Sequence, residues 1–138
     1  MALTRLEHYL VLTDDIEGTK DFYCQALGMV VGPRPPLGFD GYWVYLDDIP
    51  CIHIAEWQSY TAHSTALGIS VTTPAPGTGP LDHIAFNGTD YPAIRARLDA
   101  AGVAATENVV EHANLVQVFL RDPNGIKIEI NVFTPKTH

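Results

Sequence analysis

The sequence predicts an α+β fold built from two copies of a βαβββ unit, and three observations carry that reading. Leu6-Glu7-His8-Tyr9-Leu10-Val11 is echoed 75 positions later by Leu81-Asp82-His83-Ile84-Ala85-Phe86. Leu46-Asp47-Asp48 is echoed by Leu120-Arg121-Asp122 at an offset of 74, and Ile52-His53-Ile54 by Ile128-Glu129-Ile130 at an offset of 76. Within each half, one helical stretch is followed by three strand-like stretches of alternating polarity. The repeat places His8, His53, His83 and Glu129 at matched positions, and all four side chains can bind a metal.

The first half opens with an apolar-rich strand over residues 3–12. Asp14 or Asp15 can cap a helix whose Ile16, Thr19, Tyr23 and Leu27 share one face, and Gly28 suits a left-handed C-terminal cap. A short strand, 29–32, runs into Pro33-Arg34-Pro35-Pro36-Leu37-Gly38, which fits neither a helix nor a central strand. Strands follow over 42–47 and 51–57 with a turn at Asp48-Ile49-Pro50, and 67–72 reads as a further strand. Module one thus spans 1–72, a Pro/Gly-rich linker 73–80, and module two 81–138, all within one domain. Module two repeats the order: a strand over 81–87, a helix over 91–101 with Pro92 in its first turn and Gly102 after its end, then strands over 103–108, 115–121 and 126–133. Asp122-Pro123-Asn124-Gly125 makes the last turn, where Asn and Gly tolerate positive φ.

Alternation separates the faces. Ile126, Ile128, Ile130 and Val132 point one way and pack on the helices; Lys127, Glu129 and Asn131 point the other. Gln117 and Phe119 share the Glu129 side, and the repeat maps Trp43 onto Gln117 and Tyr45 onto Phe119. Trp43, Tyr45, Gln117, Phe119 and Lys127 are therefore the expected lining of a site for a small molecule.

Bulk properties narrow the classes. The chain has 138 residues, 46% apolar and 17% charged, a globular balance. Eight basic against sixteen acidic residues give a net charge of −8, which offers no footprint for nucleic acid or an anionic membrane. There is no apolar run of spanning length and no signal pattern, and two cysteines make no disulfide framework, so a cytoplasmic protein is expected.

Singly, His8 and His83 also fit hydrogen-bonded core histidines. Glu129 is harder to explain away, because a carboxylate between isoleucines in a strand needs a counter-charge: a divalent cation, or Lys127 on the same face. Glu7 and Asp82 alternate away from that face, Cys51 shares the face of His53, and His112 sits in the loop before the seventh strand.

These segments, with Asp21-Phe22-Tyr23-Cys24-Gln25-Ala26-Leu27-Gly28-Met29 and the run from Arg121 to Glu129, resemble the vicinal oxygen chelate superfamily of glyoxalases, extradiol dioxygenases, fosfomycin-resistance enzymes and bleomycin-binding proteins. The resemblance implies a half-barrel cup around one divalent ion, held by His8, His53, His83 and Glu129, and a homodimer. It implies an enzyme that grips its substrate through two vicinal oxygens. His8, His83 and Glu129 match the two-histidine, one-carboxylate face of extradiol dioxygenases, which favours Fe(II) and ring cleavage. His53 then falls near a second-sphere acid–base histidine, and His112 near a further active-site histidine. Phe119 departs from that pattern, standing where a tyrosine hydroxyl is usual. The alternatives are a glyoxalase-type lyase or isomerase working through an enediolate with Zn(II), Ni(II) or Mn(II), in which His53 replaces the usual glutamate, and a metal-free drug-sequestering protein.

Overall fold

The computed structural model describes residues 2–134, so the expected end of module two at 138 lies outside the described residues. The chain divides into two compact units, the first built chiefly from residues up to Pro74 and the second from Ala75 onward. Unit one runs β1 (Tyr9–Thr13), α1 (Ile16–Gln25), β2 (Val30–Gly32), β3 (Gly41–Leu46), β4 (Ile49–Glu56) and α2 (Trp57–Ala66). Unit two runs β5 (Ile84–Gly88), α3 (Tyr91–Ala100), β6 (Thr106–Val110), β7 (Leu115–Arg121) and β8 (Lys127–Phe133), with a 3₁₀ turn at Glu111–Ala113. The sheets are ordered β1-β4-β3-β2 and β5-β8-β7-β6, each with one parallel pair and two antiparallel pairs. The α+β reading with two βαβββ units holds.

Each sheet buries one face, as alternation predicts. In unit one Val11, Val44, Ile52 and Ile54 are at most 2% exposed, and in unit two Val118, Ile128, Ile130 and Leu98 form the matching core. Burying one such side chain contributes about 1.5–3 kcal/mol. Helix α1 begins where Asp15 Oδ1 accepts from Gly18 N at 2.9 Å, and ends at Gly28 with φ 73°. Its Thr19 and Tyr23 are buried, and Tyr9 Oη donates to Tyr23 Oη at 3.1 Å, so α1 covers the Tyr9–Val11–Thr13 face. In α3, capped by Asp90, Ile94 lies close enough to Gly88 that a Cβ there would come within 2.8 Å of Ile94 Cδ1.

Several boundaries differ from the expectation. β1 starts at Tyr9 rather than residue 3, leaving His8 in irregular backbone; Leu3 and Leu6 are exposed and have no sheet face to fill. The first hairpin turns at Asp47-Asp48, where Asp47 takes φ 52°, and not at Asp48-Ile49-Pro50; Ile49 and Pro50 belong to β4. In the last turn Gly125 (φ 85°) adopts positive φ and Asn124 does not, because Asp122 Oδ1 accepts from Asn124 N and Ile126 N and forms the turn itself. The expected strand over 67–72 is absent. The residues before it, Trp57–Ala66, form α2, capped by Glu56, whose carboxylate accepts from Ser59 N at 2.8 Å.

Candidate functional site

His53 and Glu129 occupy the same place in their respective sheets. Leu10 pairs with His53 and Ala85 with Glu129, so the parallel ladder preserves the 75/76 echo. On the other side His53 faces Trp43 and Glu129 faces Phe119. Trp43 is therefore the counterpart of Phe119, not of Gln117 as the sequence offset of 74 implied; a register irregularity between Val44 and Leu46 accounts for the two-residue slip. A shift of two preserves the face, so these aromatics do lie beside His53 and Glu129.

In unit one the site is a stack. The His53 ring lies between the Trp43 indole, 4.3 Å away at 11°, and the His8 imidazole, 3.6 Å away at 13°. Burial lowers the His53 pKa, the nearby His8 lowers it further, and a hydrogen bond with the Pro50 backbone opposes both. The surroundings of His53 therefore favour its neutral imidazole. Cys51 lies one strand repeat away on the same face, a half-buried thiol whose pKa is raised by desolvation. Tyr45 Oη donates to Pro33 O at 2.6 Å and so braces the loop after β2.

In unit two the site is a polar chain. Lys127 Nζ contacts Asp82 Oδ2 at 3.1 Å, Asp82 Oδ2 holds His83 Nδ1 at 2.8 Å, and His83 Nε2 approaches Glu129 Oε1 at 3.7 Å. Glu129 Oε2 accepts from Asn131 Nδ2 at 2.7 Å, while Asn131 Oδ1 is buried without a donor. The Glu129 side chain is only 12% exposed and its carboxylate has no Lys or Arg partner among the described residues. Lys127, the alternative counter-charge, is engaged by Asp82 and also lies 5.7 Å above the Phe119 ring. Asp82 is held below the usual carboxylate range by its hydrogen bonds with His83 and then Lys127. Gln117 Oε1 accepts from Asn108 Nδ2 at 2.9 Å on the same face.

Glu7 and Asp82 do not point away. Glu7 Oε1 meets His8 Nδ1 at 2.9 Å, matching Asp82 on His83 Nδ1. Strand alternation fails here because both histidines precede their strands, in backbone without a pleat. The effect is chemical: a carboxylate on Nδ1 fixes the ring and leaves Nε2 as the free donor, the usual support for a metal-binding histidine. An acid directly before each echoed histidine was the available signal.

These residues suit a divalent ion as pairs. Two donors about 2.1 Å from one ion lie roughly 3.0–3.4 Å apart at right-angle to tetrahedral geometry, close to the 3.7 Å between His83 and Glu129. The orphaned Asn131 oxygen and the Glu129 carboxylate, which has no Lys or Arg partner among the described residues, fit the same conclusion. Among the described residues no group of three or more His, Cys, Asp or Glu side chains is gathered closely enough to hold a metal ion. His112 is exposed in the 3₁₀ turn, beyond the Leu115/Phe133 end of the β7–β8 ladder. Glu129 lies four residues along that ladder, roughly 13 Å away.

Comparison with known proteins settles the family. The model of the Glyoxalase/Bleomycin resistance protein/Dioxygenase superfamily matches residues 5–130. The chain belongs to this superfamily. It is 29% identical to Glyoxylase I 4 of Arabidopsis thaliana over 136 residues, covering 94% of this chain and 71% of the relative. A glyoxalase family protein from Bacillus anthracis shares the fold with a TM-score of 0.70 at 20% identity, covering 97% of this chain and 98% of the other. An antibiotic binding protein from Streptomyces shares it with a TM-score of 0.66 at 22% identity, covering 97% and 99%. The superfamily's description joins glyoxalases and dioxygenases with a bleomycin resistance protein, all of which act on or respond to small molecules. No helix among the described residues is long and apolar enough to cross a membrane.

Proposed function

We propose that this chain is a metal-dependent enzyme that grips a small substrate through two neighbouring oxygens. His8, His83 and Glu129 serve as metal ligands and His53 as the proton acceptor. The observation that supports this reading is Glu129: a carboxylate 12% exposed, beside His83, whose lysine neighbour on that face, Lys127, is already paired with Asp82. Leaving such a charge uncompensated is costly, and a divalent ion removes the cost. His53 is assigned to proton transfer rather than ligation because its ring is stacked face to face on His8. Parallel rings direct their lone pairs side by side instead of at a common point.

The reaction favoured is proton transfer at a carbon beside a carbonyl, of the glyoxalase type. The relative named Glyoxylase I 4 supports it, and so does Phe119, which stands opposite Glu129 and has no hydroxyl to offer a catechol. A bound Zn(II), Ni(II) or Mn(II) would supply Lewis acidity toward the paired substrate oxygens. Neutral His53 accepts the carbon-bound proton and returns it, while Trp43 holds the imidazole plane. Extradiol ring cleavage with Fe(II) is the second reading, favoured by the two-histidine, one-carboxylate ligand set. His112 is left out of both sets by its position at the far end of the ladder.

Metal content of freshly purified protein tests the common part. Stoichiometric divalent ion, lost in Glu129→Gln, is expected; a metal-free protein that binds aromatic ligands equally well in wild type and variant would mark a sequestering protein. Solvent deuterium entering a hydroxy-ketone or hemithioacetal under Zn(II) or Ni(II) identifies proton transfer. Oxygen uptake with a catechol after anaerobic Fe(II) loading identifies ring cleavage.

A further inference from the structure

Unit two carries a row of carboxamides that unit one lacks. Asn87 pairs with Asn131 across the β5–β8 ladder, Asn131 with Gln117 across β8–β7, and Gln117 with Asn108 across β7–β6. The row crosses the whole sheet two residues beyond Glu129, on the face that Glu129 occupies. In unit one the corresponding row reads Leu12, Ala55 and Gly41. The scaffold therefore does not require amides here, and asparagine is a poor strand former for an interior strand such as β8.

One of these amides is committed to Glu129. Asn131 Nδ2 donates to Glu129 Oε2 at 2.7 Å, and Asn87 Nδ2 donates to Asn131 O at 3.3 Å. Turning the Asn131 amide over would set its Oδ1 against Oε2, acceptor against acceptor, so the ionised carboxylate fixes its orientation. The same orientation leaves Oδ1 buried with no donor, which is unfavourable by itself. The two Glu129 oxygens are thereby made unequal. Oε2 holds a hydrogen bond, whereas Oε1 lies 3.7 Å from His83 Nε2, too far for one.

We propose that Asn131 is a positioning residue: it occupies Glu129 Oε2 and so confines metal ligation to Oε1. A carboxylate can take one or two positions on a divalent ion; held at Oε2, Glu129 takes one. The position it leaves open is available to the second of two neighbouring substrate oxygens. The inference rests on Glu129 being a ligand, as proposed above, and concerns how many of its oxygens bind. Every contact it uses lies within unit two.

Zinc and acetohydroxamate, which binds metals through two vicinal oxygens, are the probes. The infrared difference between zinc-loaded and metal-free protein reads ligation directly. Antisymmetric and symmetric carboxylate bands lie further apart when one oxygen binds than when both do, and Glu129→Gln assigns the bands. Asn131→Leu, similar in size but without a donor, should bring the bands together. It should also weaken acetohydroxamate binding about tenfold, the lower end for removing a ligand's outer partner. Asn131→Ala, matching Ala55 in the unit-one row, should do the same and serves if the leucine variant fails to fold. Asn108→Ala, at the far end of the row, should change neither. Unchanged band separation or unchanged hydroxamate affinity without the Asn131 amide overturns the proposal, as does an equal effect of Asn108→Ala. Wild-type protein that takes up no zinc, or Glu129→Gln protein with the same difference bands, overturns the metal reading and this inference with it.

Discussion

The two units use the same backbone position for opposite chemistry. His53 and Glu129 each sit between a parallel partner on the first strand of the unit and an aromatic partner on the third. Around Glu129 the neighbours are hydrogen-bonding and charged, running from Lys127 through Asp82 and His83 to Asn131. Around His53 they are flat rings, and burial favours the neutral imidazole. The scaffold is duplicated, but one copy supplies negative charge and the other a desolvated base. The common element is the acid on each histidine Nδ1, Glu7 in one unit and Asp82 in the other. That shared device argues for ligation at both His8 and His83, and the divergent position carries the division of labour.

Exchange at the divergent position should break the comparison most strongly. Glu129→Gln removes a ligand and the only anion of the set, and should lower divalent-ion affinity by more than ~100-fold, beyond the range seen for supporting residues. His53→Gln should leave metal content near wild type while abolishing turnover; equal loss of metal in both variants would make His53 a ligand. Next come the acids: Asp82→Asn and Glu7→Gln should each weaken metal binding by about 10–100-fold, read by competition with a chromogenic chelator. An effect in one unit only would mean that the other histidine is structural. The smallest effect belongs to the stack. Trp43→Leu should cost about 0.5–1.5 kcal/mol beyond lost area in denaturant unfolding, and should raise the His53 pKa by admitting water. The sign follows from burial: the folded His53 pKa lies below its unfolded value, so the unfolded chain binds more protons, and stability falls as pH drops from the unfolded value toward the lowered one. Trp43→Leu should shrink that pH-dependent loss, and an NMR titration of His53 in metal-free protein measures it.

Much of this is legible in the sequence alone. The repeat pairs His8 with His83 and His53 with Glu129, and strand alternation assigns the faces of His53 and Glu129, because a two-residue error in register keeps the face. What failed was local. Helix α2 reads Trp-Gln-Ser-Tyr-Thr-Ala-His-Ser-Thr-Ala, with little apolar periodicity and many weak helix formers, and its cap is a glutamate instead of Ser, Thr, Asp or Asn. Glu7 and Asp82 were misdirected by extending pleat rules into backbone that has no pleat.

The indole of Trp43 against the His53 ring has a practical consequence. An imidazole in face contact with an excited indole accepts an electron far more readily once it is protonated, so emission from this tryptophan dims as the base gains its proton. Trp57, at the start of α2, provides the second emitter as a constant background. The protein therefore carries its own optical gauge of the proton on His53, readable in a cuvette without label or substrate.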